Sequence, residues 1–172
     1  AFPSFSRDGQ WIYLSQFRSG REARICKMPA SGGAAVQVTN NLGAIAIESH
    51  DGRDLYYIEA VDRPSSLWRL PLTGGAPVKV LDGVVLGNFD VVEAGIYYID
   101  RVSGEAGVFY TDRPAGDTRL QYFDFSTRRS TTVARNLGTV GPGLTASRDG
   151  RTILYTRVDS SVDDLMLVEN FR

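Results

Sequence analysis

The sequence predicts an all-β fold built from repeated four-stranded antiparallel units. Short runs rich in Ile, Val, Tyr, Phe and Thr alternate with polar residues, and Asp-Gly or Gly-Gly pairs separate these runs at hairpin spacing. No window carries a sustained apolar stripe with the helical period. In addition, one motif recurs along the chain, and a repeated supersecondary unit indicates a repeat architecture.

The recurring motif is a Ser-x-Asp-Gly turn followed within three residues by an apolar-aromatic triplet. It stands at 6–9, 49–52 and 147–150, and a degraded copy, Val-Glu-Ala-Gly, stands at 92–95. The final glycines of these four motifs are 43, 43 and 55 residues apart. The chain therefore contains four units, and the third unit carries an insertion of 12 residues.

Each unit predicts one β-propeller blade, since ~40–45 residues with four antiparallel strands are typical of that repeat. The inner strand precedes the Asp-Gly turn, the triplet forms the second strand, an apolar run such as 25–29 the third, and the stretch after the Gly-Gly pair the fourth. We expect inner strands near 2–6, 44–49, 86–92 and 143–147. Blades are expected at about 1–40, 41–82, 83–136 and 137–172, as a single propeller domain or a fragment of a larger ring.

These motifs resemble the TolB-type β-propeller repeat, whose blade combines a Pro- or Phe-containing inner strand, a Ser-x-Asp-Gly turn and an apolar-aromatic second strand. Units one, two and four match this pattern, and the resemblance covers essentially the whole chain. The closing stretch at 150–171 is similar to the C-terminal blades of propellers in large bacterial sensor and regulator proteins. In several such proteins a DNA-binding or kinase domain comes first. The resemblance implies a scaffold from a larger bacterial protein and names no reaction.

Composition and charge narrow the classes of function. The formal net charge is -1, with 19 basic against 20 acidic residues, and no long same-sign run occurs. We therefore expect no nucleic-acid contact by this domain. No apolar stretch approaches the ~18 residues of a membrane span, which predicts a soluble chain without membrane insertion. The chain starts without Met inside an expected strand, so we interpret it as a mature product or a piece of a longer protein of the bacterial periplasm or cytoplasm.

The residues that most resemble catalytic groups have structural interpretations. His50, the only histidine, stands where units one and four have Arg7 and Arg148, as expected for a solvated turn residue interchangeable with Arg. The aspartates of the three intact turns precede glycine, where an Asp side chain bonds the local backbone. No Gly-x-Ser-x-Gly nucleophile motif occurs, and Cys26, the only cysteine, is expected to be buried. We expect no catalytic residues, no metal and no cofactor.

One acidic loop leaves cation binding open. Asp159, Asp163 and Asp164 offer oxygens to calcium, which takes about six to eight of them. The loop lacks the ligand spacing and the glycine of a known calcium motif. We interpret it as a solvated loop.

Arginines are concentrated at the loops that join second to third strands. The chain has 17 Arg and two Lys, and Arg offers a rigid fork to carboxylate or phosphate partners and is enriched at interfaces. Two aromatic residues lie in the long loop of unit three at 100–119, and long loops on rigid scaffolds carry binding function; the alternative is an extra hairpin that covers its own apolar side. The predicted partner-binding residues are Arg18, Arg63, Arg101, Phe109, Tyr110 and Arg157.

The leading interpretation is a non-enzymatic protein-interaction or sensor module that binds another protein or another domain of its parent chain. The alternative is a propeller that accompanies the catalytic part of a serine peptidase or another hydrolase. The resemblance implies that four units are about half of the parent ring. Because an open half-ring would expose the apolar faces of units one and four, we expect self-association, most simply as a two-fold dimer.

Overall fold

The structure is a computed structural model in which residues 2–17, 22–101, 118–147 and 150–158 are described. Across these ranges the regular elements are β-strands in three four-stranded sheets and one two-stranded sheet. Each strand pairs antiparallel with its neighbours in sequence within the sheet. The predicted all-β fold of propeller blades is confirmed.

The strands fall into four blades in chain order. Blade 1 contains β1 (Ser4–Phe5), β2 (Trp11–Phe17), β3 (Ala23–Pro29) and β4 (Val36–Gln37). Blade 2 contains β5 (Ile45–Glu48), β6 (Asp54–Ile58), β7 (Ser65–Pro71) and β8 (Val78–Val84). Blade 3 contains β9 (Phe89–Val92), β10 (Gly95–Arg101), β11 (Thr118–Asp124) and β12 (Arg129–Ala134). Blade 4 contains β13 (Thr139–Ala146) and β14 (Ile153–Val158); the third strand predicted for this unit, at 165–168, lies outside the described residues.

The apolar core lies in three clusters, one at each junction between successive blades. Each cluster combines side chains from the two blades that meet there, as expected when blades stack face to face. They include Tyr13, Ile25 and Tyr57 at the first junction, Leu67, Phe89 and Ile96 at the second, and Ile99, Leu120 and Leu144 at the third. We call the face that a blade turns to the preceding blade its leading face, and the opposite face its trailing face.

Burial along the second strands shows which blades are covered on both faces. In β6 the four residues 55–58 are all buried, because blades 1 and 3 cover blade 2 on both sides. In β14 half-buried and exposed residues alternate from 153 to 156 and the last two residues are exposed, so this strand is covered on one face at most. Within the described ranges, no helix is long and apolar enough to cross a membrane.

The inner strands differ in detail from the prediction. The segment 86–88 is a turn, with positive φ at Leu86 and Gly87, so β9 starts at Phe89. Strand β13 begins at Thr139, earlier than expected. Its Gly-Pro-Gly stretch interrupts the apolar alternation in the sequence, but the strand continues through that stretch. There the pairing with β14 shifts register. The Asn88 side chain stabilises this bulge by donating to the Gly141 carbonyl at 2.9 Å and accepting from the Gly143 N–H at 2.7 Å.

Candidate functional site

The aspartates of the first two Asp-Gly turns form hydrogen bonds within their own turns. The turn glycines Gly9, Gly52 and Gly150 have φ of +70°, +71° and +66°, a conformation open to glycine at little cost. In the first turn Asp8 accepts hydrogen bonds from the Ser6 hydroxyl at 2.5 Å and from the backbone N–H two residues on at 2.9 Å. The Ser6 hydroxyl, followed by that N–H, holds the pKa of Asp8 below its usual value. The second turn repeats this pattern, so these two carboxylates stabilise turns, as predicted; Asp149 and Arg148 lie outside the described residues.

Arg7 and His50 occupy the same position of the repeat but behave differently. Arg7 donates from Nε to the Ser49 carbonyl at 3.3 Å and from Nη2 to the Val91 carbonyl at 3.1 Å, which ties blade 1 to blades 2 and 3. His50 is exposed. The expectation that the two residues are interchangeable is therefore wrong, because an imidazole is too short to bridge two further blades.

Three of the six predicted partner-binding residues lie in the described part of the chain. They are Arg63, Arg101 and Arg157, whereas Arg18, Phe109 and Tyr110 lie outside it. Arg63 stands in the connection from β6 to β7, and its exposed guanidinium lies 3.5 Å from Asp62 Oδ1. Arg101 is the last residue of β10, and Arg157 stands near the end of β14.

Arg101 and Arg157 come from different blades to the same junction. Arg101 pairs with Thr118, whose hydroxyl donates to the Gly138 carbonyl at 2.9 Å. The Arg157 side chain lies over Gly138, with its Cδ 3.4 Å from the position of a Cβ there. Arg101 Nε is buried without a hydrogen-bond partner among the described residues. The structure thus groups these two arginines between blades 3 and 4, whereas Arg63 belongs to blade 2.

The leading face of blade 1 is partly exposed, with Ile12 and Leu14 half-buried and Phe5 exposed. Side chains along a strand alternate between the two faces of its sheet. Because Tyr13 points to blade 2, Ile12, Leu14 and the paired Phe5 lie on the opposite face. Phe5 is 65% exposed. The residues of blade 2 that correspond to Ile12 and Leu14 are Leu55 and Tyr57, which are only 0% and 1% exposed because blade 1 covers them.

Among the described residues, nothing covers the trailing face of blade 4. Ile153 and Tyr155 pack against the core of the third junction, so the alternating Leu154 and Val158 point away from it. Leu154 is 65% exposed and Val158 43%. Tyr56, which corresponds to Leu154 in blade 2, is 5% exposed. In the described part of the chain, the first and last blades thus each carry exposed apolar side chains on their outward-facing side.

A cleft of about 570 Å³ separates blades 2 and 3 on the side of the Asp-Gly turns. Its floor is aromatic: the rings of Tyr56 and Phe125 stack at 5.8 Å between centroids, and Phe123 meets Phe125 edge-on at 6.3 Å. Burial raises the pKa of Tyr56, so its hydroxyl stays protonated. The walls carry Val78, Val80, Arg69, Glu93 and Arg128.

The junction that holds the cleft lacks a hydrogen bond found at the first junction. At the first junction Glu48 accepts hydrogen bonds from the Tyr13 hydroxyl at 2.9 Å and from the Arg7 N–H. Blade 3 has Val91 at the position of Glu48, so it offers no carboxylate to Tyr56, the counterpart of Tyr13. Sequence reasoning missed this site, although the degraded motif at 92–95 was its signal.

The described residues contain no group of three or more His, Cys, Asp and Glu side chains placed to hold a metal ion. The acidic loop with Asp159, Asp163 and Asp164 lies outside them. Cys26 is buried as predicted, and its thiol donates to Gln16 Oε1 at 3.3 Å.

No protein-family model matches the chain, and no curated protein matches it significantly. Solved structures match instead. TolB from Acinetobacter baumannii superposes with a TM-score of 0.70 at 19% identity, over 91% of this chain and 37% of that chain. The fold is that of a TolB-like β-propeller. The likeness implied by the Ser-x-Asp-Gly motif is thereby confirmed at the level of the fold.

Two further structures extend the comparison of these TolB-like blades. A chain of the nidogen/laminin complex matches with a TM-score of 0.61 at 16% identity, over 89% of this chain and 54% of that chain. The tricorn protease matches with a TM-score of 0.55 at 16% identity, over 90% of this chain and 20% of that chain. The chain thus spans about half or less of each of these proteins.

Proposed function

We propose that this TolB-like chain is a non-enzymatic protein-interaction module whose end faces bind further propeller blades. The observation that carries the proposal is the pair of open apolar faces, whose counterparts inside the chain are fully covered. Each internal junction joins the trailing face of one blade to the leading face of the next. Blade 4 offers a trailing face and blade 1 a leading face, so two copies fit head to tail and close an eight-bladed ring with two-fold symmetry.

The side chains involved are large enough to drive this association. Full burial of a large apolar side chain contributes roughly 1.5–3 kcal/mol. Phe5 and Leu154 each keep 65% of their surface exposed, and a head-to-tail dimer buries both residues twice. Blades supplied by the rest of a longer parent chain fit the same faces.

Light scattering after size-exclusion chromatography tests this proposal. The wild-type chain is expected to be a dimer at micromolar concentration, and Leu154→Asp is expected to be a monomer because it places a charge in both interfaces. Val133→Asp is the matched control, since Val133 is 52% exposed on the outer strand of blade 3. A wild-type monomer, or equal effects of the two substitutions, would contradict the proposal.

We propose a second partner surface on the face of the loops that join second to third strands. Arg63, Arg101 and Arg157 would contact another protein or another domain of the parent chain, together with Arg18, Phe109 and Tyr110. Rim charges act mainly on association rate and its salt dependence. Arg63→Glu with Arg101→Glu is therefore expected to slow binding of a parent-derived domain at low salt, whereas Arg129→Glu on β12 is not. Unchanged association after both reversals and removal of 103–112 would place the surface elsewhere.

The likeness to the tricorn protease favours one alternative, a propeller that accompanies the catalytic part of a peptidase or another hydrolase. The full-length open reading frame distinguishes the protein-interaction module from this alternative. A DNA-binding, kinase or membrane segment upstream supports a bacterial sensor or regulator of the periplasm or cytoplasm. A hydrolase domain in the same reading frame supports the alternative.

A further inference from the structure

The cleft between blades 2 and 3 ends at a free strand edge. Strand β8 is the last strand of its sheet, so its outer edge presents backbone N–H and C=O groups that no strand of blade 2 pairs. Val78 and Val80 of this strand line the cleft, and Val78 is 49% exposed. A free edge beside an apolar cleft is the arrangement to which an extended peptide adds as a further strand.

Arg128 stands on the opposite wall in an unusual backbone conformation. Its φ is +56°, a region that costs a non-glycine residue roughly 1–2 kcal/mol. The corresponding turns of blades 1 and 2 place glycine at positive φ, with +94° at Gly32 and +109° at Gly74. Asp124 fixes the Arg128 turn by accepting hydrogen bonds from the N–H groups of residues 126 and 127 at 2.9 and 2.8 Å. A strained residue held in place this firmly points to a function for its side chain.

Among the described cations that line the cleft, Arg128 is the one available to an acidic ligand, and Glu93 is an exposed carboxylate of the same wall. Arg69 lies 3.9 Å from Asp54, and Lys79 lies 3.0 Å from Asp82, so both cations already have carboxylate neighbours. The exposed guanidinium of Arg128 forms no hydrogen bond or ion pair with any described residue. It offers its fork to a carboxylate, a geometry that arginine matches with two parallel hydrogen bonds.

We propose that an extended peptide of a partner protein pairs with the free edge of β8, packs an apolar side chain against Val78 and Val80 at the mouth of the cleft, and places a carboxylate on Arg128. Side chains two apart on a strand point the same way, so the two groups stand at positions i and i+2 of the peptide. The cleft volume of about 570 Å³ leaves room for such a side chain. This site goes beyond the proposed function, because it uses neither the end faces nor the loop face.

Fluorescence anisotropy with a labelled, capped pentapeptide, Thr-Phe-Thr-Glu-Thr, tests the site. This peptide is expected to bind about fivefold or more tightly than Thr-Phe-Glu-Thr-Thr, in which the carboxylate points away from the cleft. N-methylation of its backbone is expected to abolish binding, because the hydrogen bonds to β8 are lost.

Two pairs of variants locate the binding. Arg128→Gly is expected to lower affinity about fivefold while leaving stability unchanged or higher, since glycine relieves the strained φ; Arg129→Gly is the neighbouring control. Val78→Asp is expected to weaken binding, and Val133→Asp is not. Lack of saturable binding up to about 1 mM peptide, equal affinity for both peptides, or unchanged affinity in Arg128→Gly would overturn the proposal.

Discussion

Replacing Tyr13 by Phe removes a single hydroxyl from the junction between blades 1 and 2. That hydroxyl donates to Glu48 Oε1 at 2.9 Å, and the two residues are 2% and 7% exposed. Burial, reinforced by the Glu48 carboxylate, raises the pKa of Tyr13 well above its usual value, so the phenol remains a donor. A buried hydrogen bond to a charged group contributes about 1.5–3 kcal/mol, and Tyr13→Phe is expected to destabilise the fold by that amount.

Urea unfolding at one fixed protein concentration measures this loss. With a slope of about 2 kcal/mol per molar urea, the midpoint is expected to fall by about 0.7–1.5 M. Tyr56→Phe makes the same chemical change one repeat later, where Val91 replaces the carboxylate. Its free energy of unfolding is expected to fall by less than that of Tyr13→Phe, because the Tyr56 hydroxyl has no carboxylate acceptor. Equal midpoint shifts in the two variants would refute the assignment of Glu48 as the polar tie between blades.

Three further predictions concern the turns and one close backbone approach. At Gly52, where φ is +71°, Gly52→Val is expected to lower stability by about 1–2 kcal/mol in thermal melts, whereas His50→Ala in the same turn changes it little; similar losses would argue against the turn assignment. Gly95→Ala would place a Cβ 2.3 Å from the Phe123 carbonyl oxygen, so a loss of about 1–3 kcal/mol is expected in urea unfolding, and an unshifted midpoint would disprove the close contact. The Ser49 hydroxyl holds the pKa of Asp51 below its usual value of 3.8. The stability that this carboxylate contributes is present above that value and is lost as pH falls through the lower pKa of the folded state. Asp51→Asn is therefore expected to reduce the difference between the unfolding midpoints at about pH 5 and about pH 3, and an undiminished difference would contradict this role of Asp51.

The sequence predicts the local structure well because turn chemistry repeats. Asp and Gly in a Ser-x-Asp-Gly motif determine both the hydrogen bonds and the positive φ of the turn, and these depend on neighbouring residues alone. The same repeat predicts open end faces, since Ile12 and Leu154 occupy positions that inner blades bury. The fold class follows from these two signals.

The cleft and the Arg7 bridge are not predictable in this way, because both depend on pairs of residues far apart in the chain. Arg7 bonds the Val91 carbonyl across 84 residues, and no local pattern distinguishes it from His50. The bulge in β13 likewise depends on Asn88, 53 residues away from Gly141. Deviations from a repeat indicate where such long-range differences occur without giving their geometry.

Trans-complementation tests the head-to-tail arrangement most directly. Phe5→Asp damages the leading face of blade 1 and Leu154→Asp the trailing face of blade 4, so each variant alone has both interfaces of its dimer damaged. A mixed pair keeps one interface with two wild-type faces. In sedimentation equilibrium each variant is expected to be a monomer of 18.9 kDa, and the equimolar mixture is expected to form a dimer. A mixture that stays monomeric while the wild type dimerises would contradict head-to-tail closure, and a wild-type monomer that unfolds cooperatively would contradict self-association through the end faces.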